Sequence, residues 1–373
     1  MLPNSISEMT SAAQSNRSAV IVGASLSGLM CGIALAREGV QITIVERADA
    51  APRNGAALQV DSGETDYSAA AKSLRKLASG GLRSVEAWSS VQLRLRHAAQ
   101  ISNRIEIRYN TRVESIHQNK DAAWVVTESG EKISADFLIG ADGHRSRVRK
   151  HMSKNHQHAS FAGYMIWVAI LDEKDIPEEF RPAAGASISM PDGIGDFLLG
   201  SVIAGADGST EVGKRRLSWA WYDNTRNGLL RDLGCVGRNV VQHSLNASDI
   251  PVQTLKELEL QAEQRWPQLW LAATLHSIRS RNLTGIPISE YVPGKLSEGR
   301  IALVGDAAHV MTPLTAMGFN ASLQDAAALA DCAADAMYKN NPVQILEAYE
   351  SKRLKTVRRL VQSGQPFSRS FGR

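Results

Sequence analysis

The 373-residue chain has few cysteines, little excess charge and no long apolar run. Its three cysteines, Cys31, Cys235 and Cys332, form no C-x-x-C pair and no Cys/His cluster with metal spacing. The sequence therefore predicts neither a disulfide scaffold nor a metal site. Cys31 and Cys332 lie in apolar helical patterns that are typical of buried thiols. This sparse cysteine usage favours a reducing, cytoplasmic location.

The other shortages argue against two classes of partner. The formal net charge is only +4, and no Lys/Arg run is long enough to indicate a nucleic-acid track. No stretch approaches 18 uninterrupted apolar residues, so the sequence predicts no membrane span.

Residues 1–17 contain no apolar core of signal-peptide length and are expected to form a disordered tail. The remaining length exceeds that of most single cores, which predicts two domains.

A β-α-β unit is predicted where the apolar pattern begins. Residues 18–22 form a short apolar run suited to a buried parallel strand, and the turn GASLSG follows at 23–28. A helical pattern then ends near Gly39, and VQITIVE at 40–46 reads as a second strand. Strand, turn, helix and strand in this order are typical of a dinucleotide-binding unit.

Each position of this unit has a physical role. Gly23 allows the tight turn, and Gly28 lets the helix pack closely on the sheet. Ser25 stands at the middle position, where a small side chain lets backbone amides approach a pyrophosphate. Glu46 ends the second strand, where its carboxylate can accept both hydroxyls of an adenosine ribose; Arg47 beside it is also a predicted cofactor-binding residue. This unit alone leaves NAD, FAD or no ligand at all open.

Two later segments discriminate between these alternatives. The first, DFLIGADGHRSRVR at 136–149, runs from a strand through Asp142 into a helical start. The second contains a buried strand at 301–304, the pair Gly305-Asp306, a loop with Pro313, and a helix after Gly318.

Together the three segments resemble the aromatic-ring flavoprotein monooxygenases, the group that includes para-hydroxybenzoate hydroxylase. FAGYMIWVAI (161–170) and LSWAWYDN (217–224) are similar to the branch that hydroxylates hydroxypyridines, such as dihydroxypyridine hydroxylase and 6-hydroxynicotinate monooxygenase. The resemblance extends over most of the chain. It implies an α/β fold in which a Rossmann-like (GR2-type) FAD-binding domain, residues 18–154 and 290–373, carries an inserted antiparallel-sheet substrate domain, residues 155–289.

The resemblance also assigns residues to the flavin. Asp306 would bind a hydroxyl of the ribityl chain, and Pro313 would face the reactive edge of the ring. Asp142 belongs to a segment that serves FAD, although it could simply cap the next helix. His309 could act in acid–base chemistry, but a structural place near the flavin is favoured. The helix start that would aim its amides at the pyrimidine side of the flavin comprises Gly318, Phe319 and Asn320.

The implied activity is that of a single-component monooxygenase. NAD(P)H would reduce FAD as a transient visitor, O₂ would give a flavin C4a-hydroperoxide, and an aromatic or heteroaromatic small molecule would be hydroxylated. The protein would act as a monomer or homodimer. Two alternatives stay open: a natural-product flavoenzyme with a different oxidation or a non-redox role, and a degenerate FAD-binding protein of low activity.

Aromatic residues of the predicted substrate domain are candidates for the pocket wall. In LSWAWYD, strand alternation places Trp219 and Trp221 on one face and Tyr222 on the other. Ordinary core packing between sheet and helix is the competing interpretation. The candidate substrate-contacting residues are Tyr164, Trp167, Trp219, Trp221 and Tyr222.

The chain departs from the pattern of these enzymes at several places. Ser25 and Ala316 each replace a glycine, and at Ala316 the β-carbon limits φ in the loop below the flavin. The stretch from Ala50 to Trp88 is short, whereas relatives use more residues there to wall the active site.

Overall fold

The computed structural model describes residues 17–51, 55–60, 63–64, 66–79, 85–153, 157–183, 197–338 and 341–372. The helices are α1 (Leu26–Arg37), α2 (Ala69–Ser79), α3 (Trp88–Gln100), α4 (Arg147–Met152), α5 (Asn227–Asp232), α6 (Val252–Arg265), α7 (Gln268–Arg279), α8 (Gly318–Ala334) and α9 (Pro342–Phe371). The strands are β1 (Ser18–Val22), β2 (Gln41–Val45), β3 (Ala57–Gln59), β4 (Val85–Ala87), β5 (Ile105–Arg108), β6 (Val113–Gln118), β7 (Ala123–Thr127), β8 (Lys132–Ala135), β9 (Phe137–Gly140), β10 (Ser160–Asp172), β11 (Phe197–Ile203), β12 (Arg216–Asp223), β13 (Val236–Gly237), β14 (Val240–Val241), β15 (Thr284–Glu290), β16 (Ser297–Glu298) and β17 (Ile301–Leu303).

A six-stranded sheet holds the three segments that resemble the flavoprotein monooxygenases. We call the turn at 23–28 the first motif, the segment at 136–149 the second, and the segment from 301 through Gly318 the third. The strand order of the sheet is β16-β17-β9-β1-β2-β5, and every pair is parallel except β16 with β17. The central strands are continuous apolar runs because both faces of the sheet are covered: α1 packs on it, and so does a three-stranded antiparallel sheet of β6, β7 and β8. The parallel arrangement brings the carboxyl ends of β1, β9 and β17 to one edge, so the three motifs that follow these strands meet there.

A four-stranded antiparallel sheet forms the second layer, in the order β11-β12-β10-β15. Along its strands, side chains alternate between two clusters: Met165 and Trp167 pack with α6 and α7, whereas Tyr164 and Ile166 lie on the other face. Helices α6 and α7 follow one another along the face of Met165 and Trp167 and are separated at Pro267. The α/β class with an added antiparallel sheet is thus as the sequence predicts.

The strands divide along the chain in two sets. Those of the six-stranded sheet come from residues 18–140 and 297–303, and those of the four-stranded sheet from residues 160–290. This distribution supports the proposed division into a discontinuous cofactor domain and an inserted substrate domain.

The predicted disordered tail needs a correction at its last residue. Residues 1–16 lie outside the described part of the chain. Arg17 is buried, and its guanidinium donates to the carbonyl of Ala333 at 2.9 Å. Arg17, which precedes β1, thus already contacts the end of α8. In the described ranges, no helix is both long and apolar enough to cross a bilayer.

The turn after β1 is shaped by two close approaches. Gly23 has φ +107°, and a β-carbon there would lie 2.5 Å from the carbonyl oxygen of Ala141. A β-carbon on Gly28 would lie 1.9 Å from the carbonyl oxygen of Gly23. Both glycines are therefore required by backbone contacts, which cannot move aside as a flexible side chain can.

The loop before α8 contains a residue in a left-handed conformation. A 3₁₀ turn over Pro313–Thr315 ends at Ala316, which has φ +52° and ψ 14°. An L-residue in this region is strained because its β-carbon approaches the following carbonyl. The departure from glycine at Ala316 thus costs conformational energy here.

We predict that Gly28→Ala lowers the free energy of unfolding by about 1–3 kcal/mol, the usual cost of forcing atoms into a packed interior. Urea denaturation of the FAD-free protein measures this change. Gly294→Ala is the matched control, because a β-carbon at Gly294 meets nothing within 4 Å. Equal stability of Gly28→Ala and the wild type would contradict the turn geometry.

We predict that Ala316→Gly raises the free energy of unfolding by about 0.5–1 kcal/mol, since relief of left-handed strain exceeds the added flexibility of the unfolded chain. Ala316 is exposed, so its methyl group contributes little packing. Ala206→Gly is the control: Ala206 is an exposed turn residue outside the positive-φ region, and its replacement is expected to lower stability. A loss of stability in both variants would show that Ala316 is unstrained.

Candidate active site

The turn at residues 23–28 accommodates its serine without strain. Ser25 is the N-cap of α1, with φ −81° and ψ −174°, an extended conformation open to any residue. Its hydroxyl makes no capping hydrogen bond. Because the backbone there does not require glycine, Ser25 is compatible with a functional turn at the positive end of α1.

Glu46 lies where the sequence predicts, at the end of β2. Its carboxylate is buried and accepts hydrogen bonds from the amides of Ala24 at 2.9 Å and Ala48 at 3.0 Å. The carboxylate is thus held against the glycine turn, the position expected for a ribose acceptor. Arg47 is exposed just beyond it.

Asp142 caps the helix that follows it. Its carboxylate accepts hydrogen bonds from the amides of Arg147 at 2.6 Å and Val148 at 3.3 Å, and from the Ser146 hydroxyl. Burial raises the pKa of the Asp142 carboxyl, which these donors oppose. These hydrogen bonds support the capping alternative for Asp142, which acts together with Ser146, the N-cap of α4, and the neighbouring Gly143 lines the cavity.

Arg149 joins the second motif to the third. Its guanidinium is fully buried and donates to the carbonyl oxygens of Asp306 at 3.2 Å and Ala307 at 3.0 Å. The same group lies 4.3 Å from the ring centre of Tyr291, a cation–π contact. Arg149 therefore fixes the backbone that carries Asp306.

Asp306 extends from a sharp turn into the cavity. Gly305 has φ +56°, and a β-carbon there would lie 2.4 Å from the Ser27 hydroxyl, so the third motif approaches the first closely. The Asp306 side chain is exposed and borders the cavity. Burial lowers the pKa of the nearby His144, and the negative charge of Asp306 opposes this effect.

The start of α8 borders the same space. Its N-cap is Met317, which has no side-chain acceptor, so the first amides of the helix have no cap. Gly318 and Phe319 line the cavity. The side chain of Asn320 instead accepts a hydrogen bond from Arg75 at 2.6 Å, away from the cavity lining.

One cavity of about 490 Å³ lies between the two sheets. The cofactor motifs contribute Ser25, Gly143 and Asp306, and the opposite wall is mainly apolar. That wall comes from one face of the antiparallel sheet and from β3, and its main apolar residues are Leu58, Ile166, Leu199, Ala220, Ile286 and Ile288.

The two candidate catalytic residues lie in different environments. Pro313 is exposed and lines the cavity. His309 is 1% exposed and donates from Nε2 to Asp325 at 2.6 Å, outside the cavity lining. Although burial raises the pKa of Asp325, His309 and Arg353 bring it below its usual value. The burial of His309 and its contact with Asp325 support the structural place that the sequence favours over an acid–base role.

The aromatic candidates separate onto the two faces of the antiparallel sheet, as strand alternation predicts. Tyr222 lines the cavity, and burial raises the pKa of its phenol. The Tyr164 hydroxyl is 2.6 Å from the Thr312 hydroxyl, next to Pro313. These two tyrosines therefore lie on the cavity face.

The three tryptophans belong to the opposite cluster, which corrects their candidacy as pocket walls. Trp167 donates from Nε1 to Asp223 at 2.9 Å, and Trp219 donates to Ser277 on α7 at 3.1 Å. Trp221 packs edge-on against Trp266. Trp219 borders the cavity, but its indole is engaged by the helices, so core packing explains all three.

Sequence reasoning missed several residues of the site. Thr312 precedes the predicted Pro313 and lines the cavity, and Trp88 forms part of its wall at the start of α3. Arg149 and Arg75 had no signal beyond their charge, since burial of an arginine depends on distant partners. The apolar strand residues of the wall carry no polar pattern that distinguishes a pocket from a core.

The arrangement fits an FAD molecule. The close approaches at Gly23, Gly28 and Gly305 leave no room for β-carbons, as a backbone cradle for a dinucleotide requires. Glu46 at the turn and the uncapped start of α8 provide an acceptor and amide donors at the two ends of the site.

Comparisons with known proteins agree with this geometry. The profile of the family described as "FAD binding domain" matches residues 16–66 and 85–364, and leaves residues 67–84 unmatched. The FAD-dependent monooxygenase paxM of Penicillium paxilli is 24% identical over 389 residues, which cover 93% of this chain and 77% of that protein. The 3-hydroxybenzoate 6-hydroxylase of Klebsiella oxytoca is 23% identical over 394 residues, covering 95% and 88%.

Among solved structures, 2,6-dihydroxypyridine-3-hydroxylase from Arthrobacter nicotinovorans is similar, with a TM-score of 0.74 and 18% identity over 96% of this chain and 93% of that one. This likeness confirms the predicted fold. Since the family profile spans most of the chain, the protein belongs to the FAD-binding domain family and is a FAD-dependent flavoprotein of the aromatic-ring monooxygenase group.

Proposed function

We propose that the protein uses FAD, NAD(P)H and O₂ to hydroxylate a small aromatic or heteroaromatic molecule. The observation that carries this proposal is the cavity of about 490 Å³ with cofactor motifs on one side and an apolar sheet face on the other. A flat aromatic molecule is held by apolar walls with few polar groups, which is the composition of this cavity.

The cofactor residues divide between the two ends of FAD. Gly23, Ser25, Gly28 and Glu46 would hold the adenosine diphosphate, with Arg47 beside it. At the other end, Asp306 would accept a hydrogen bond from the ribityl chain. The amides at the start of α8 would lie at the pyrimidine side, where their partial positive charge favours the reduced flavin. Bound FAD would supply the redox chemistry, taking electrons from NAD(P)H and delivering one oxygen atom of O₂.

The substrate would lie against the antiparallel sheet. Ile166, Leu199 and Tyr222 give an apolar surface that excludes water, which protects a reactive oxygen donor from side reactions. The Thr312 hydroxyl, held by Tyr164, places a polar group beside Pro313 and the proposed reactive edge. These contacts would position the ring, and the chain's contribution is orientation rather than covalent chemistry.

The remaining features of the proposal concern partners and place. The sequence predicts one β-α-β unit with a glycine turn of this kind, at residues 18–46, so NAD(P)H would bind transiently without a domain of its own. We propose a cytoplasmic monomer or homodimer.

A second candidate is favoured by the segment 67–84, which the family profile does not match. A changed wall beside the flavin suits a larger substrate that undergoes a different oxidation or a non-redox conversion. The same cavity would serve both candidates, and product analysis distinguishes them.

We expect the purified protein to be yellow and to oxidise NADH or NADPH faster when a phenol or hydroxypyridine is added. Mass spectrometry should show a product heavier by one oxygen atom, and labelled O₂ should supply that atom. Reduction without oxygen insertion would favour the second candidate. A colourless protein that FAD cannot reconstitute would overturn both.

We expect Asp306→Ala to weaken FAD binding by about 10- to 100-fold, because a hydrogen bond to a charged group contributes roughly 1.5–3 kcal/mol. Titration of the FAD-free protein with FAD measures the dissociation constant. Glu128→Ala is the control. Glu128 is an exposed carboxylate in the turn between β7 and β8, and its replacement should leave the dissociation constant unchanged. Equal affinity of Asp306→Ala and the wild type would remove Asp306 from the site.

A further inference from the structure

A buried ion pair lies in and beside the part of the chain that the family profile omits. Arg75 is on α2, within the unmatched residues 67–84, and pairs with Asp66 just before that helix. The two side chains are only 8% and 3% exposed. A buried ion pair of this kind is costly to desolvate unless further hydrogen bonds satisfy it, so its partners indicate what it holds in place.

Those partners are on α8. Arg75 Nη2 donates to Asp66 Oδ1 at 2.9 Å and to Asn320 Oδ1 at 2.6 Å. Gln324 Nε2 donates to the same Asp66 oxygen at 2.7 Å. Asn320 and Gln324 are four residues apart and therefore share one face of the helix. The ion pair thus contacts two successive turns at the start of α8.

The other faces of the same turns have different contacts. Gly318 and Ser322 line the cavity, and Asp325 bonds with His309 and Arg353 beneath it. The start of α8 is therefore fixed between two buried charge clusters. The cluster around Asp325 involves the third motif. The Asp66–Arg75 pair instead belongs to the segment around α2, most of which the family profile does not match.

The loop before α2 is fitted to the ion pair. Gly63 has φ +75°, and a β-carbon there would lie 2.7 Å from Arg75 Cδ and 2.8 Å from Asp66 Oδ2. The backbone therefore passes directly over the pair. This close approach is independent of the hydrogen bonds to α8, and it shows that the segment is built around Arg75.

We propose that Arg75, held by Asp66, is a positioning residue for the flavin: it places the first turn of α8 and thereby sets the affinity and reduction potential of FAD. The inference rests on the proposed location of the flavin at the start of α8. Because Asp66 neutralises Arg75, the effect comes from the position of the helix amides and not from added charge. Interaction with a helix end falls off within one turn, so a small displacement of α8 changes it.

The first test is the net-neutral double variant Asp66→Asn/Arg75→Gln. We expect FAD to bind about tenfold more weakly, and the reduced flavin to lose about tenfold more affinity than the oxidised flavin. The second loss corresponds to a reduction potential about 30 mV more negative for a two-electron couple. FAD titration of the apoprotein and dye-equilibrium reduction of the loaded protein measure the two quantities.

The second test keeps the ion pair and removes the side chain of Asn320, the partner of Arg75 on the helix, while the contact of Gln324 with Asp66 remains. Asn320→Ala retains its backbone amide, so it should fold, and we expect the same direction of change in the potential. Adding Asn320→Ala to the double variant should cause little further change, because both act through one contact. The single variant Arg75→Lys keeps Asp66 and retains one donor group. It should therefore bind FAD more tightly than the double variant, and more weakly than the wild type.

The control is Arg215→Gln. Arg215 and Glu173 form an ion pair of similar burial in the substrate domain, with side chains 5% and 0% exposed. This variant should lose stability without a change in the potential. Wild-type affinity and potential in both the double variant and Asn320→Ala would overturn the proposal while leaving FAD binding intact. A wild-type protein that binds no FAD would overturn the proposed function instead.

Discussion

The buried carboxylate of Asp325 is the interaction on which the cofactor half of the structure depends. It accepts hydrogen bonds from the amide of Gly305 at 3.0 Å, from His309 at 2.6 Å and from Arg353 at 2.9 Å. A fully buried charge is tolerated only when it is paired and its lone pairs are satisfied, so these three donors must stay in place. The Asp325 carboxylate consequently holds three elements together: the turn that presents Asp306, the first half of α8, and the middle of α9.

The same principle extends outward from that carboxylate. Arg149 satisfies backbone carbonyls on the other side of the third motif and joins it to the helix capped by Asp142. The hydroxyls of Tyr164 and Thr312 then connect the substrate sheet to the loop that carries Pro313. The site is therefore rigid where a cofactor would lie, because its backbone is held by buried side chains on several elements.

The sequence predicted the parts of this arrangement that follow from local pattern. The turn at Gly23 and Gly28, the acceptor Glu46 and the separation of Trp219 from Tyr222 follow from strand and turn rules. Alternation has a period of two but does not say which face meets a cavity, so the sequence left the tryptophans and Tyr222 alike as candidates for the pocket wall.

Burial of charge is a different case, since it depends on partners far apart in the chain. Arg75 and Asn320 are separated by 245 positions, and neither has a local sequence signal for the contact. The same is true of His309: the sequence favoured a structural place for it, but its partner Asp325, 16 positions away, carries no local signal. Local pattern thus locates a cofactor turn more readily than the charge network that supports it.

The departures from the family pattern differ in their physical consequence. Ser25 has an ordinary extended backbone, so its side chain changes only the surface that a phosphate would meet. Ala316 holds a left-handed conformation at the loop below the proposed flavin, where strain is maintained by the surrounding structure. Its turn is anchored by Thr312 on one side and α8 on the other. The strain at Ala316 therefore lies in the short connection between Pro313 and the start of α8 at Gly318, both of which line the cavity.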